Sequence, residues 1–279
     1  MTTAIMPADT DHATQVSFYT CPECHGVLRT SSDALQCEGC LESFAIRNGI
    51  PEFISEELSR SHDPELKRMT AIDRMAPIYE TKLWYPIVLS VYGGLGRISL
   101  PQLISQVTHN ISSVRDRVLD IACGPGTYGR RAAQDVREVW GIDVSRGMLR
   151  QGLAYTSKEG ITNMHFARAR VEKLPFTSGC FEGVLCCGSL HLFTDTLAAL
   201  REMARVMQPS GVLSVFTFTP GDAGILKYCR IREWMRAKHG LHVFELPEVE
   251  RLLELSGFEG FDPQVFGSIL TFKAHRKVV

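Results

Sequence analysis

Residues 118–131 read VLDIACGPGTYGRR, an apolar run that breaks into Gly124, Gly126 and Gly129. A strand that turns on closely spaced glycines and reopens as a helix leaves backbone N–H groups and a helix N-terminus facing outward at the strand's carboxyl end. That geometry restricts the chain to an open α/β sheet with a ligand-facing turn. The residues beyond agree: RVLDIA, EVWGIDV, MHFARARV, FEGVLCCGSL and GVLSVFTFT read as strands. Between them lie helical stretches running to Val136, from about Ser145, and from Asp195 to Met207, with a helix or loop past KLPFTSG. Such alternation requires crossover connections, hence a doubly wound, mainly parallel sheet. After an excursion at 221–245, a helix at Glu248 to Ser256 leads to FEGFDPQV and SILTFKAHR. Two strands this close in sequence are expected to form an antiparallel, hairpin-like edge.

A second constraint lies upstream. Cys21 and Cys24 form one C-x-x-C pair, Cys37 and Cys40 another, with 12 residues between the pairs. Two such knuckles converge four thiolates on a tetrahedral site, which a structural Zn²⁺ requires. Redox pairs are the alternative, but a thioredoxin-type C-x-x-C needs a βαβ context that is missing here. The segment 18–54 is too short to fold on apolar burial alone, whereas a structural zinc contributes on the order of 10–16 kcal/mol. A filled shell of four cysteines leaves no open position for chemistry, and His25 beside it reads as a solvated loop residue. The run resembles two zinc ribbons: the small activator protein of tRNA and translation-factor methyltransferases, and the ribbon opening the bacterial 23S rRNA guanine-N1 methyltransferases. Docking and spacer roles fit the ribbon equally.

Net charge is −1, so no global field favours nucleic acid or an anionic membrane. Residues 1–17 have no Lys or Arg and no apolar run, and read as a flexible tail without a signal or transit segment. Nowhere are there 18 consecutive apolar residues to span a bilayer. Five cysteines remain outside the two pairs, an odd number that argues for free thiols and a cytoplasmic location.

The spelling G-x-G-x-x-G is shared with dinucleotide folds, and so is an acid ending the second strand, Asp143, 19 residues after Gly124. Other residues separate the two. Asp120 lies inside the strand, where it would repel a pyrophosphate but attract an ammonium or sulfonium; capping of the turn is its alternative role. VSRGML after Asp143 places apolar residues where an adenine would be sandwiched. The order D-x-x-C-G-x-G, EKLPF, FEGVLCCGSLHL and MARVMQPSGVLSVFTF resembles class I S-adenosylmethionine-dependent methyltransferases, most of all the ubiquinone and menaquinone biosynthesis subgroup, over roughly residues 70–275. The resemblance implies an enzyme with a Rossmann-like, doubly wound, seven-stranded, mainly parallel sheet and an antiparallel last strand. It further implies that Asp120, Ala122, Gly124 and Gly126 line the methionine side, that Asp143 binds ribose, that Val144 and Met148 flank adenine, and that Cys187 ends the fourth strand beside the cofactor. Gly129 is then incidental. Ala122 stands where the family often has Gly. Arg170, in ARVEKLPF, stands where an Asp commonly accepts the adenine amino hydrogens, which Arg cannot do; backbone groups around Val171 are one substitute.

Residues 55–117 are expected to be a helical linker that covers the cofactor. Leu66, Met69, Ile72, Met75 and Tyr79 form an amphipathic stripe led by Asp63-Pro64, and a second helix spans Leu100 to Thr108; VYGGLGR between them reads as a flexible connection. Tyr79, in MAPIYE, resembles the helix that closes over the cofactor in this subgroup. His191, just past the fourth strand, is a candidate base or substrate contact. The excursion, with Ile225, Tyr228, Ile231, Trp234 and Met235 at helical spacing, is expected to be a lid over the acceptor, with His239 and His242 as lesser candidates for contact. The leading expectation is methyl transfer to a small apolar or aromatic molecule. The rival is an RNA base methyltransferase that grips RNA with its ribbon, which offers only Arg29 and Arg47 as basic residues. A cofactor-binding protein without turnover is the third possibility.

Overall fold

The computed structural model describes residues 18–31, 33–54, 79, 81 and 83–278. The expected tail and most of the expected helical stripe, including Leu66, Met69, Ile72 and Met75, lie outside the described residues. Four short antiparallel strands form the N-terminal unit in sequential order: β1 Leu28–Ser31, β2 Ala34–Cys37, β3 Ser43–Arg47 and β4 Ile50–Pro51. The seven-stranded sheet that follows contains β5 Arg117–Ile121, β6 Glu138–Asp143, β7 Met164–Arg168, β8 Phe181–Cys187, β9 Met207–Phe218, β10 Phe258–Phe266 and β11 Ile269–Arg276. Its order is β10-β11-β9-β8-β5-β6-β7, with β5 to β9 parallel and β11 antiparallel to both its neighbours. The antiparallel strand is therefore inserted between β9 and β10, and β10 is the outer strand. The chain order reverses at β5, which puts a crevice at the carboxyl ends of β5 and its neighbours.

Local sequence explains the helices. The helices α1 Trp84–Val88, α2 Leu100–Asn110, α3 Thr127–Ala132, α4 Arg146–Glu159, α5 Thr196–Val206, α6 Cys229–His239 and α7 Leu246–Leu255 follow in order. Ser99 and Gln102 form a reciprocal capping box at α2, and Ser145 and Asp195 accept the backbone N–H groups of Met148 and Ala198 to start α4 and α5. One face of the large sheet buries Leu103, Val107, Tyr128, Leu149 and Met235 from α2, α3, α4 and α6. The other buries Leu200 and Met203 of α5 and Val249 and Leu253 of α7. Beside those two helices a gap would remain, because the connection from β7 to β8, residues 169–180, forms no helix.

The N-terminal unit fills that gap. Tyr19 stacks on Phe176 at 5.3 Å and meets Trp140 edge-on at 5.3 Å and Phe53 at 4.9 Å. Backbone pairing fixes the contact: Thr20 N–H donates to the Pro175 carbonyl, Thr177 N–H to Phe18, and Phe53 N–H to Arg168 on the edge strand β7. Lys173 and Glu23 add an ion pair at 2.5 Å.

The expected flexible connection VYGGLGR is instead partly helical and tightly packed. Leu89–Gly93 is a π-helical turn continuing α1, and the Gly93 carbonyl accepts the N–H of Ser268 at 3.2 Å. At Gly267, φ is +67° and an added Cβ would sit 1.8 Å from that same carbonyl oxygen. Close backbone approach, not mobility, is what glycine provides here.

Asp120 and His191 are among the titratable groups inside the core. Asp120, 1% exposed in β5, accepts the Gly129 N–H at 3.0 Å. An added Cβ on Gly129 would come within 2.8 Å of the Asp120 oxygen, so Gly129 is required for this bond and is not incidental. Burial pushes the Asp120 carboxyl up to about 7, with the Gly129 bond opposing and the charge of Asp143 adding to the rise. His191, 4% exposed, has Nδ1 3.3 Å from Thr217 Oγ1 and packs its ring on Phe218; burial pushes it down to about 3.

Gly267→Ala is expected to lower stability by about 2–5 kcal/mol, combining left-handed strain with overpacking. Gly257→Ala, at φ +86° but in open space, should cost only about 1–2 kcal/mol. Urea midpoints followed on the buried Trp140 compare the two, and equal shifts would contradict the close crossing. A buried acid with a raised pKa contributes stability at low pH that is lost as pH rises towards 7. Asp120→Asn removes that loss, so its stability relative to wild type should fall by as much as about 4 kcal/mol between about pH 7.5 and about pH 4. A constant difference across that range would show that Asp120 does not titrate as its burial requires.

Candidate functional site

A cleft of about 850 Å³ opens at the carboxyl ends of β5, β6 and β8, where the strand order reverses. Its wall brings together most of the residues expected from sequence: Tyr79, Ala122, Gly124, Asp143, Val144, Met148, Val171 and Cys187. The turn after β5 runs through left-handed backbone, which only Ala122 adopts at a cost. Ala122 has φ +50° and Gly124 φ +55°, and Gly126 at φ +81° is the N-cap of α3. Asp143 knits the two strand ends together, accepting the N–H of Gly124 at 2.9 Å and of Ser145 at 2.8 Å. Asp143 lines the cleft as well, so its carboxylate stands where it can accept from hydroxyl donors.

Three expected site residues stand outside the wall. Asp120 lies beneath the turn and holds the first turn of α3 through Gly129, the capping role. Gly126 lies over Met164, whose Cε would be 2.8 Å from an added Cβ. His191 is turned into the core because Leu190–Leu192 forms a single 3₁₀ turn. That turn presents Leu192 and the following Phe193 to the cleft instead. A sealed imidazole with so low a pKa is unsuited to act as a general base, so the catalytic assignment of His191 is not supported.

The excursion forms α6 as its spacing implies, but it does not line the cleft: none of residues 221–245 is among the lining residues described. Met235 packs inward while Tyr228 and Trp234 are each 53% exposed, so the apolar spacing is split between two faces. His242 bonds Glu248 at 2.8 Å and His239 stands against Trp234. Sequence reasoning missed Ser145, Glu172, Ser189, Leu192 and Phe193. Ser145 had a legible signal in its N-capping position before α4. Arg170 does line the cleft, with its Nε 3.4 Å from Glu172, so a carboxylate stands close to the position where this chain carries Arg in place of the family's common Asp. The hydroxyl of Tyr128, buried near Tyr79, Tyr85 and Cys187, has no hydrogen-bond partner among the described residues.

The four cysteines of the N-terminal unit also converge. Their sulfurs all lie within 4.8 Å of one another, with Cys21 to Cys40 at 3.6 Å and Cys24 to Cys37 at 3.4 Å. A tetrahedral zinc with Zn–S of about 2.3 Å requires sulfurs about 3.8 Å apart, so the set fits this ion. The N–H groups of Gly39 and Cys40 point at Cys37 Sγ, and an added Cβ on Gly26 would approach two of the sulfurs at 3.0 and 3.1 Å.

Residues 118–211 match a family described as Methyltransferase domain. The ubiquinone/menaquinone biosynthesis C-methyltransferase UbiE of Chromobacterium violaceum is 38% identical over 132 residues, 46% of this chain and 52% of that protein. The uncharacterized methyltransferase YcgJ of Bacillus subtilis is 33% identical over 107 residues, 38% of this chain and 42% of that one. The chain thus spans about half the length of the curated relatives it matches. The YcgJ crystal structure superposes with a TM-score of 0.53 at 17% identity, covering 63% of this chain and 100% of that one. The [4+2]-cyclase SpnF gives 0.61 at 17% identity, covering 77% and 97%; both likenesses concern the fold. No described helix is long and apolar enough to cross a membrane. The match to the methyltransferase domain family falls on the strands from β5 into β9, whose carboxyl ends carry the cleft at the point where the sheet order reverses.

Proposed function

We propose that this chain transfers a methyl group from S-adenosylmethionine to a small apolar or aromatic molecule. The observation that carries the reading is the placement of Asp143: it is bonded to the amide of the Gly124 turn and lines the cleft, where a carboxylate can accept from ribose hydroxyls. Val144, Met148 and Val171 supply apolar walls for adenine, and Glu172, held by Arg170, supplies a carboxylate at that end. Tyr79 lines the same cleft beside the Gly124 turn. When bound, the cofactor supplies an electrophilic methyl group, and aligning it with an acceptor is worth about 7–11 kcal/mol without any general base. The protein's part is then to orient and to exclude water, for which Tyr79, Cys187, Leu192 and Phe193 are suited. A carbon acceptor, which the UbiE relative has as a C-methyltransferase, suits such an apolar wall. The fold alone does not fix the chemistry, since a cyclase shares it.

Cys21, Cys24, Cys37 and Cys40 are read as the ligands of one structural Zn²⁺. The ribbon's own charges weigh against RNA: Arg29 pairs with Glu38 and Arg47 faces Glu52, so both basic residues are matched by carboxylates.

Calorimetric titration with S-adenosylhomocysteine tests the cofactor site. Asp143→Ala is expected to weaken binding by about ten- to over a hundredfold, for the loss of hydrogen bonds to a charged group worth about 1.5–3 kcal/mol each; unchanged affinity would overturn the ribose assignment. Incubating a cell extract with methyl-labelled cofactor should label the low-molecular-weight fraction, and label confined to RNA would overturn the small-molecule reading. The purified chain should hold about one zinc, and Cys37→Ser should lose it together with much of the ribbon's stability, measured by metal analysis and thermal melting.

A further inference from the structure

The ribbon and the cleft meet at a single carboxylate. Glu52, 6% exposed just past β4, accepts bonds from Arg146 through both Nε, at 2.7 Å, and Nη2. Its Oε2 also lies 3.7 Å from Arg47 Nε and 3.7 Å from Nη1 of Arg168. Burial works to raise this carboxyl, but the Arg146 bonds and the three guanidinium charges outweigh it and hold Glu52 below the usual range.

Two of those three arginines lead directly to the cleft wall. Arg168, 2% exposed in β7, donates from Nε to the Val144 carbonyl at 2.9 Å. Arg146 is the first residue of α4, next to Ser145, whose hydroxyl accepts the Met148 N–H at 3.0 Å. Asp143, Val144, Ser145 and Met148 all line the cleft at the end read above as the adenosine site. A carboxylate surrounded by three guanidinium groups is what keeps those cations together; without its charge they repel one another, and while Arg47 and Arg146 can turn towards solvent, the buried Arg168 has no room to retreat.

We propose that Glu52 is a positioning residue for cofactor binding, through which the cysteine ribbon holds the 143–148 wall of the cleft in its binding geometry. The proposal rests on the reading of this cleft as the S-adenosylmethionine site. It assigns the ribbon a role in the cofactor site itself, where docking and spacer roles would leave that site untouched.

The test uses the full chain with its metal and S-adenosylhomocysteine as probe. Glu52→Gln should bind the probe about tenfold more weakly, equivalent to about 1.4 kcal/mol, with its zinc content unchanged. Hydrogen exchange at the amides of residues 144–148 should be faster than in wild type. Glu38→Gln, which breaks only the exposed pair with Arg29, should match wild type in both readouts. Should Glu52→Gln fail to fold, Arg146→Gln, at a side chain 39% exposed, removes the bidentate partner alone and should shift both readouts in the same direction. In wild-type protein, stripping the zinc should also speed exchange at residues 144–148. Wild-type binding together with unaltered affinity and exchange in the variants overturns the positioning role alone. A wild-type chain that does not bind the probe overturns the cofactor reading, and this proposal with it.

Discussion

A parallel sheet must be covered on both faces, since its strands are apolar on both. In this chain the crossover from β7 to β8 supplies no helix to do so. The aromatic contact of Tyr19 with Trp140 and Phe176 takes its place, and much else depends on it. It closes one face of the core beside α5 and α7, and it brings residues 50–53 alongside the edge strand β7, shielding an edge that would otherwise invite pairing with other chains. Aromatic pairs of this kind contribute about 0.5–1.5 kcal/mol each beyond simple burial, and backbone bonds on both sides fix their register. The four-cysteine unit is therefore part of the same folded body as the large sheet.

Within that body the ligand-facing turn is supported from below. Asp120 is the only carboxylate among the fully buried side chains of β5, and its bond to Gly129 anchors α3 beneath the left-handed residues Ala122 and Gly124. The arrangement places a group that resists ionisation under the turn and a second carboxyl, Asp143, in the cleft wall above it. His191 has the opposite bias, resisting protonation in the neighbouring part of the core. As the pH falls from about 7 to about 4, the first relieves a burden while the second acquires one, so their contributions to stability run in opposite directions.

The parts legible in the sequence are those with short-range signatures. Strands β5 to β9 announce themselves as apolar runs between turns, and Gly124, Asp143, Val144, Met148, Val171 and Cys187 fall in the cleft wall because a strand's carboxyl end determines where the next residues point. Legibility fails where one letter serves two purposes. Glycine in VYGGLGR marks close contact with Gly267 and Gly224, although the same letter elsewhere signals a free hinge. His191 has the composition of a site residue, but a 3₁₀ turn rotates it away and exposes Leu192 and Phe193 in its stead. The joining of ribbon to core left no trace at all, since Glu52 with Arg168 and Glu23 with Lys173 are pairs separated by more than a hundred residues, and no periodicity encodes them.

The position of β11 has a consequence for the order of events during synthesis. Strand β9 pairs on one side with β8 and on the other with β11, and β10 is joined to the sheet only through β11. A ribosome releases β10 first, so this strand emerges with nothing to pair with, and the long apolar β9 presents an open edge until Ile269–Arg276 follows. Completion of the sheet is thus a late event that closes two gaps at once, and until then the nascent chain exposes its most adhesive edge.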